Sequence, residues 1–369
     1  MRPTRRALLG GLAGGVAALA GCGYRPVGGE RRWSRPVEGF GSANEVLFDG
    51  GRLLVVVRET RGFDFESEEW RRGGQLTVVE PTAGEAAGSH LFGEPMVAGA
   101  HDGETAYAVF ADGSVRVAPI PDQGSSATTD ATGGGEWTAR PEVAGEAATL
   151  AAGSRVYVAG NGGLAAIAPS DGAVAWRWTG GAVRTVVPGR DATAYAVTDD
   201  ELLGLGADGT VRWRRRASSD EPPVVDGAGV YLADGERLVA LTHDGRERWS
   251  RAVGDSLGGP VLSGGRLYHV SDGGVRSFAP DGRERWRTEV PIGVVSGVAA
   301  GNDRVFVRYD DALAGVGSEG VAWRVEVDVF REFDPAFGPF ATGDVVVLAG
   351  GSELRGYWQS QLPRDGGLL

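Results

Sequence analysis

Apolar and polar positions along the chain recur with a period of 37 residues. Residues 224–249 (VVDGAGVYLADGERLVALTHDGRERW) align without a gap with residues 261–286 (VLSGGRLYHVSDGGVRSFAPDGRERW), and the last six letters are identical. Each copy contains an apolar run, a turn, a run centred on tyrosine, a second turn, a third run, an Asp-Gly pair and a run ending in tryptophan. Short runs of this kind between Gly and Asp clusters predict β-strands. Each unit is therefore expected to contribute four strands.

The same pattern occurs eight times. Second strands are predicted at 53–57, 106–110, 156–160, 194–198, 230–234, 267–271, 305–309 and 345–349. Third strands are predicted at 76–80, 115–119, 164–168, 202–206, 238–242, 275–279, 313–317 and 354–358. Fourth strands carry a tryptophan in units two to seven, whereas unit one has His90-Leu91-Phe92 there. The repeats predict one closed all-β domain, an eight-bladed β-propeller of four-stranded antiparallel blades.

The two ends of the chain complement each other. Unit eight has no fourth strand after its third, whereas residues 31–35 (RRWSR) resemble the fourth strand of unit five, RWSR at 248–251. An uncovered sheet edge is prone to aggregate, and closure of the ring removes it. We therefore expect the last blade to be closed by an N-terminal strand around Trp33.

The repeat VYxADxxxLxALxxDGxxxW resembles those of the pyrroloquinoline-quinone-type (PQQ-like) β-propellers over about residues 31–360. In that family the terminal tryptophan packs between neighbouring blades, so the resemblance implies a blade-docking role for Trp33, Trp137, Trp176, Trp213, Trp249, Trp286 and Trp323. By architecture the chain is similar both to the outer-membrane assembly lipoproteins, which are non-catalytic scaffolds, and to quinone-dependent alcohol dehydrogenases. Since one fold hosts many functions, the resemblance leaves both open.

Residues 1–21 resemble an export signal of the twin-arginine and lipoprotein type. The sequence TRRALL (4–9) precedes an apolar run of about 15 residues, shorter than the roughly 20 that a membrane-spanning helix needs. The sequence LAGC (19–22) resembles a lipobox, in which cleavage leaves Cys22 to carry a lipid. We therefore expect an extracytoplasmic protein anchored by Cys22 to the outer face of the cell membrane, with a tether at 22–30 and a tail at 361–369. The alternative is a buried free cysteine in an uncleaved helix.

Charge narrows the choice of partners. The formal net charge is −12, and every one of the basic residues is an arginine. An acidic surface repels phosphate groups and keeps a protein dispersed, which argues against nucleic acid as a partner and favours a monomer. Acidity without lysine also resembles the proteins of extreme halophiles, and codon bias is the alternative explanation.

The chain offers little for catalysis or cofactor binding. Cys22 is the single cysteine, so the vicinal cysteine pair that quinone dehydrogenases place over their cofactor cannot form. The four histidines (His90, His101, His243 and His269) fall in different units without the spacing of a zinc site. The sequence GDSLG at 254–258 matches G-x-S-x-G by letters, but it lies in a loop between units rather than in a strand-to-helix turn. We predict no catalytic residue, no metal and no cofactor.

Three insertions depart from the repeat. Residues 58–75 are predicted to expand the loop between strands two and three of unit one, and residues 327–339 the connection from unit seven to unit eight. Residues 121–135 are polar and of low complexity, so disorder is expected there. In an antiparallel meander, the loops between strands two and three emerge on the same face as the blade-to-blade connections. The first two insertions should therefore lie side by side, with the third on the opposite face.

The first two insertions carry six aromatic side chains among charges: Phe63, Phe65, Trp70, Phe330, Phe333 and Phe337. Exposed aromatic residues among charges are typical of a partner-binding patch. The alternative is that they fold back and cap the end of the propeller. The sequence favours a lipid-anchored, non-catalytic scaffold that binds envelope or membrane proteins. A propeller that binds a small ligand or sugar on the channel axis, or a quinone-dependent dehydrogenase-like enzyme, is the alternative.

Overall fold

A computed structural model describes residues 28–37, 45–49, 51–64, 69–102, 105–119, 126–129, 137–143, 149–217, 221–290, 293–327, 336–350 and 352–359. The strands in these ranges group into eight sheets, seven with four strands and one with five. The sheets follow one another around a ring, so the chain is all-β and forms the eight-bladed β-propeller that the repeats predict. No helix in the described residues is long and apolar enough to cross a membrane.

The first four blades run through the N-terminal half of the chain, each given from its innermost strand outwards. Blade one comprises β2 (Glu45–Asp49), β3 (Arg52–Asp64), β4 (Glu69–Glu80) and β5 (Glu85–Phe92). Blade two comprises β6 (Met96–His101), β7 (Thr105–Phe110), β8 (Val115–Pro119) and β10 (Thr138–Ala139). Blade three comprises β11 (Thr149–Ala152), β12 (Val156–Gly160), β13 (Gly163–Ile167) and β14 (Val174–Trp178). Blade four comprises β15 (Thr185–Pro188), β16 (Ala194–Val197), β17 (Glu201–Leu205) and β18 (Val211–Arg216).

The other four blades continue in the same order. Blade five comprises β19 (Val224–Val225), β20 (Val230–Asp234), β21 (Arg237–Leu241) and β22 (Glu247–Ala252). Blade six comprises β23 (Val261–Ser263), β24 (Arg266–Ser271), β25 (Gly274–Phe278) and β26 (Glu284–Thr288). Blade seven comprises β27 (Val295–Gly301), β28 (Arg304–Tyr309), β29 (Ala312–Gly317) and β30 (Gly320–Glu326). Blade eight comprises β31 (Ala336–Thr342), β32 (Val345–Gly350), β33 (Glu353–Trp358) and β1 (Arg31–Pro36).

Blade eight takes its outermost strand from the beginning of the chain. β1 pairs antiparallel with β33, with Ser34 opposite Arg355. At the end of this pair, the Gly29 N–H donates to the carbonyl oxygen of Trp358 over 2.8 Å, and the Trp358 N–H donates to that of Glu30 over 2.9 Å. The prediction that an N-terminal strand closes the last blade is confirmed. Because β1 covers the edge of β33, it also hides backbone groups that would otherwise pair with another chain.

The apolar core lies between the blades rather than within any one of them. The described residues form eight buried clusters, and each cluster draws on two adjacent blades. Successive residues of a middle strand point to opposite neighbours, so that in β16 Tyr195 packs towards blade five and Ala194 towards blade three. A strand covered on both faces is apolar throughout. This explains why β12 (VYVAG) is fully buried and contains no charged side chain.

The outer-strand tryptophans lie on the Asp-Gly turn of the next blade. The indole N–H of Trp249 donates to the carbonyl oxygen of Pro280 over 2.9 Å. Its ring lies so close to Gly282, whose φ is +81°, that an added Cβ would be 2.5 Å from the ring. Trp286 is half-buried against the cluster between blades six and seven. The arrangement of Trp249 recurs where Trp137, Trp176 and Trp213 lie on Gly172, Gly209 and Gly245.

At the closure of the ring, the chain ends take the place of a turn. Trp33 of β1 lies on Gly84 of blade one, as the other tryptophans lie on their turns. Trp323 of blade seven faces blade eight, in which no turn connects the third strand to the fourth. Its indole N–H donates instead to the carbonyl oxygen of Gln359 over 2.7 Å, and its ring lies against Gly29, whose φ is +87°. Gly29 and Gln359, from the two ends of the chain, thus make the contacts to Trp323 that a single Asp-Gly turn makes to the other tryptophans.

Two of the insertions differ from expectation. Residues 58–75 are not a loop, because β3 and β4 continue through most of them as a paired hairpin. Within residues 121–135, β9 (Ser126–Thr129) pairs in parallel with β5 and adds a fifth strand to blade one. The expectation of disorder is therefore wrong for residues 126–129. The edge of β5 offers unpaired backbone groups, and a polar segment can satisfy them as well as an apolar one.

Candidate functional site

The two faces of the propeller carry different connections. One face carries the turns between first and second strands and between third and fourth strands, such as 226–229 and 242–246 in blade five; we call it the turn face. The other carries the hairpins between second and third strands, such as 234–237, and the connections between blades; we call it the arm face. Gly28 and Gln359 lie on the turn face, since both adjoin Trp323 at the end of β33.

A two-stranded hairpin projects from the arm face of blade one. The ladder of β3 and β4 has a register shift between Val57 and Thr60, and it resumes from Thr60 opposite Gly73 to Asp64 opposite Glu69. The neighbouring strands stop earlier, because β2 reaches only Val56 and β5 reaches only Gly74. Residues 58–64 and 69–73, which we call the arm, lie beyond these last ladder pairs. The base of the arm packs against blade one, since Thr60 is buried and Gly73 lies against the carbonyl oxygen of Phe92.

The register of the arm places aromatic and basic residues on one side. Phe63 lies directly opposite Trp70 in the ladder, and Arg61 lies directly opposite Arg72. Because alternate residues of a strand face the same side of a sheet, these four positions share one face of the arm. Like charges directly opposite each other are unfavourable, and a nearby carboxylate relieves that repulsion. Trp and Arg are also the residues most often found at the energetic centre of protein interfaces.

Ion pairs mark the base of the arm. Arg58 Nη2 lies 3.8 Å from a carboxylate oxygen of Glu45 in the neighbouring strand, and Arg72 Nε lies 3.6 Å from one of Glu59. Burial raises the pKa of Glu45, and the positive charge of Arg58 partly opposes that shift. Pairs of this kind orient the two strands where they leave the sheet.

The other members of the predicted aromatic patch are not brought together in the described structure. Phe65, Phe330 and Phe333 lie outside the described residues, as does the predicted lipidation site Cys22. Phe337 is half-buried and packs with Phe340 against the cluster between blades eight and one. Most of its surface therefore contributes to the interface between those blades. Phe63 and Trp70 are the two described members of the patch that lie on the arm, directly opposite each other in the ladder.

A cavity of about 420 Å³ opens on the turn face between blades four and five. Its lining includes Arg190, Tyr195, Trp213 and His243. The Tyr195 hydroxyl lies 2.7 Å from Nδ1 of His243. Burial raises the pKa of Tyr195, which keeps the phenol protonated and able to donate to that nitrogen. The side chain of His243 is exposed, so its ring borders both the phenol and the open side of the cavity.

Two residues of the lining can be compared with other blades. Gly204 lies opposite Trp213 in the ladder, as Gly315 lies opposite Trp323 in blade seven, whereas blades three and five have Ala166 and Ala240 there. His243 occupies the turn position that is proline in the matching turn of blade six, and its side chain lines the cavity. In the sequence, His243 shows no feature beyond its position beside an Asp-Gly pair.

Ser256 of the GDSLG sequence contacts His269. Its Oγ lies 3.1 Å from Nε2 of His269 and 3.2 Å from the carbonyl oxygen of Gly235. Burial lowers the pKa of His269 to about 4, and Nδ1 has no hydrogen-bond partner among the described residues. A nucleophilic serine needs a base that is itself oriented by a third group. The geometry instead fits a relay in which His269 donates to Ser256 and Ser256 donates to Gly235, which fastens blade five to blade six.

The histidines lie in four different blades. His90, His101 and His269 are buried, and His243 is exposed. Burial lowers the pKa of His90 to about 4, so it is neutral near pH 7. Among the described residues, no group of three or more His, Cys, Asp or Glu side chains is placed to hold a metal ion.

Comparison with known proteins identifies the family of this chain. A family model described as "Outer membrane protein assembly factor BamB" matches residues 72–256 and 198–279, which together span more than half of the 369 residues. The chain belongs to this family.

Two solved structures illustrate the similarity in architecture, and the first of them is a BamB. The crystal structure of BamB from Moraxella catarrhalis matches with a TM-score of 0.57 and 13% identity, over 89% of this chain and 99% of that one. Sqt1 of Saccharomyces cerevisiae matches with a TM-score of 0.53 and 11% identity, over 92% of this chain and 100% of that one. At these identities the matches show the fold alone. No curated protein matches the sequence.

Relative to other blades of this BamB-family propeller, blade one is elaborated in ways that sequence patterns did not reveal. The strand character of the arm is hidden by charged residues and by Gly62, which break any apolar alternation. β9 (SATT) carries no apolar pattern at all.

Proposed function

We propose that this protein is a lipid-anchored, extracytoplasmic scaffold that binds envelope or membrane proteins through its arm, without catalysis. The BamB-family match supports the assignment to envelope assembly. The lipobox-like sequence ending in Cys22 supports the anchor. The observation that carries the proposal is the arm itself, in which β3 and β4 extend beyond their neighbouring strands and bring Phe63 opposite Trp70.

The arm has the physical properties of a recognition element. Unpaired strand edges accept an extended segment of a partner through backbone hydrogen bonds, and such contacts supply affinity for many sequences. Specificity then comes from side chains, here the aromatic positions 63 and 70 and the arginines at 61 and 72. Truncating an aromatic anchor at the centre of an interface costs about 2 kcal/mol or more, which is about 30-fold in Kd.

Cross-linked co-purification from native membranes tests the proposal. The double variant Phe63→Ser/Trp70→Ser should lose a partner that the wild type retains, because it removes both opposed aromatic residues. Val321→Ser is the matched control, since Val321 is 44% exposed on the outer strand of blade seven, far from the arm in sequence. Both variants should keep the wild-type melting temperature. Retention of the same partners by the double variant would show that the arm does not bind them.

The cavity between blades four and five favours a second candidate function, the binding of a small polar ligand. The imidazole of His243 and the guanidinium of Arg190 are polar groups suited to a carboxylate or a sugar hydroxyl. Thermal shifts with acetate, glutamate, glucose and N-acetylglucosamine test it. One of these should raise the melting temperature of the wild type and have no effect on Arg190→Gln/His243→Phe. No shift with any of them would count against a ligand of this class.

A further inference from the structure

The outer edge of blade one differs in charge from the outer edges of the other blades. The outer strands of blades three to eight each carry at least one arginine, and β10 of blade two is only two residues long. β5 carries no arginine, and Glu85 at its first position is its one charged residue. Charged side chains on an edge strand hinder pairing with a further strand. β5 is therefore the long outer strand with the least protection against strand addition.

The structure shows a strand added at this edge. β9 pairs in parallel with residues 89–92 of β5, and it comes from the connection between β8 and β10 of the next blade. Among the described strands, no other blade has a strand beyond its fourth. The edge of β5 thus binds an extended segment that is not part of the repeat.

β9 is a weak cover for this edge. Its sequence is SATT, it pairs over four residues, and parallel pairs are slightly less stable per residue than antiparallel ones. Fixing four residues of a long connection costs conformational entropy of the same order as the stability that a few backbone hydrogen bonds contribute. A segment that adds side-chain contacts to the same backbone hydrogen bonds would therefore displace β9.

Leu91 offers such a side-chain contact. Leu91 is 37% exposed, whereas its neighbour Phe92 is buried in the cluster between blades one and two. The ladder places Thr128 of β9 opposite Leu91. Residues at matching positions of paired strands share one face of the sheet. A large apolar residue at the position of Thr128 in an incoming strand would therefore cover Leu91.

We propose that the outer edge of β5 binds an extended segment of a partner protein, and that β9 occupies this edge in the partner's absence. The incoming segment carries a large apolar residue where β9 has Thr128, and backbone hydrogen bonds supply the rest of the contact. This inference goes beyond the proposed function, because it requires neither the arm nor a lipid on Cys22. The site ends at the base of the arm, where the carbonyl oxygen of Phe92 adjoins Gly73.

Peptide binding to the purified protein tests the proposal. The probe is a fluorescent peptide of residues 122–133 that carries Thr128→Leu. The protein variant Ala127→Pro/Thr128→Pro removes two adjacent backbone N–H groups of β9 and should uncover the edge of β5. Ala127→Val/Thr128→Val is the matched variant, since it keeps those groups and raises the strand propensity of β9. If β9 covers the edge in about 90% of molecules, uncovering it tightens binding about tenfold.

Fluorescence anisotropy should show tighter peptide binding by the proline variant than by the wild type, and weaker binding by the valine variant. Adding Leu91→Arg to the proline variant should abolish binding, because it gives β5 the arginine that other outer strands carry. Circular dichroism checks the fold of each variant, and the wild type and the valine variant decide the question if the proline variant does not fold.

Equal or absent binding by the wild type and both β9 variants would overturn the proposal, as would binding that survives Leu91→Arg. Light scattering reports on the other possible occupant of the edge, a second copy of the chain. Dimerisation of the proline variant without peptide binding would overturn the proposal and assign the edge to that second copy.

Discussion

The ring of Trp213 packs against glycine backbone both in its own blade and in the next blade. The ring of Trp213 lies between Gly204 of its own blade and Gly245 of the next, and an added Cβ would come within 2.2 Å and 2.5 Å of it, respectively. Only glycine allows the backbone to approach an aromatic ring this closely. The contact between blades therefore depends on the absence of a side chain at the turn as much as on the indole.

Two glycines of blade six distinguish the stability that the ring contact contributes from the stability that a positive φ alone requires. Gly282 (φ +81°) lies on the ring of Trp249, whereas Gly265 (φ +68°) has no atom within 4 Å of an added Cβ. Alanine in the left-handed region costs roughly 1 kcal/mol, and overpacking adds about 1–3 kcal/mol. Gly265→Ala should therefore lower the free energy of unfolding by about 1 kcal/mol and Gly282→Ala by about 3 kcal/mol. Urea denaturation measures both, and equal losses would show that the ring contact contributes little.

The contact between a tryptophan and the next blade could be predicted only in part. The resemblance to a family identified the tryptophans, and turn chemistry identified the Asp-Gly pairs as hairpin turns. It could not show that they meet, because Trp249 and Gly282 belong to different repeats and their contact depends on the packing of one blade against the next. The Tyr195–His243 pair was missed for the same reason.

Among the elements, β1 could be predicted from the sequence and the arm could not. β1 could be predicted because its sequence repeats that of β22 and because blade eight lacked a fourth strand. The arm could not, because charged residues and Gly62 remove the alternation that identifies a strand. The ladder of β3 and β4 forms there through backbone pairing that the flanking strands begin.

Removal of the closing strand tests how much β1 contributes. Deletion of residues 31–36 takes away Trp33, which packs against the cluster between blades eight and one, and uncovers the edge of β33. Loss of a large packed aromatic residue alone costs about 3–5 kcal/mol, so a clear fall in the melting temperature is expected. Truncation of residues 361–369 is the control and should leave it unchanged. An unaltered melt after the deletion would mean that the ring is held without β1.

At the scale of the whole molecule, eight similar interfaces between blades make a ring whose two faces carry different connections. Each apolar cluster joins two blades, so the repeats specify the fold almost completely from sequence. The proposed function lies in the insertions that depart from the repeat. In those insertions the sequence identified aromatic residues but could not predict their arrangement. Phe337 illustrates this limit, because it packs into the interface between blades eight and one. The arm, by contrast, extends β3 and β4 beyond the neighbouring strands of blade one.

Site-specific photo-cross-linking in intact cells tests the role of the arm most directly. A photoreactive benzoylphenylalanine is placed at position 70 of the arm or at position 321 on the outer strand of blade seven. The account predicts one or a few discrete cross-linked protein species for position 70 and none of them for position 321. The absence of any cross-link at position 70, or the same set at both positions, would contradict the proposal that the arm is the partner-binding element.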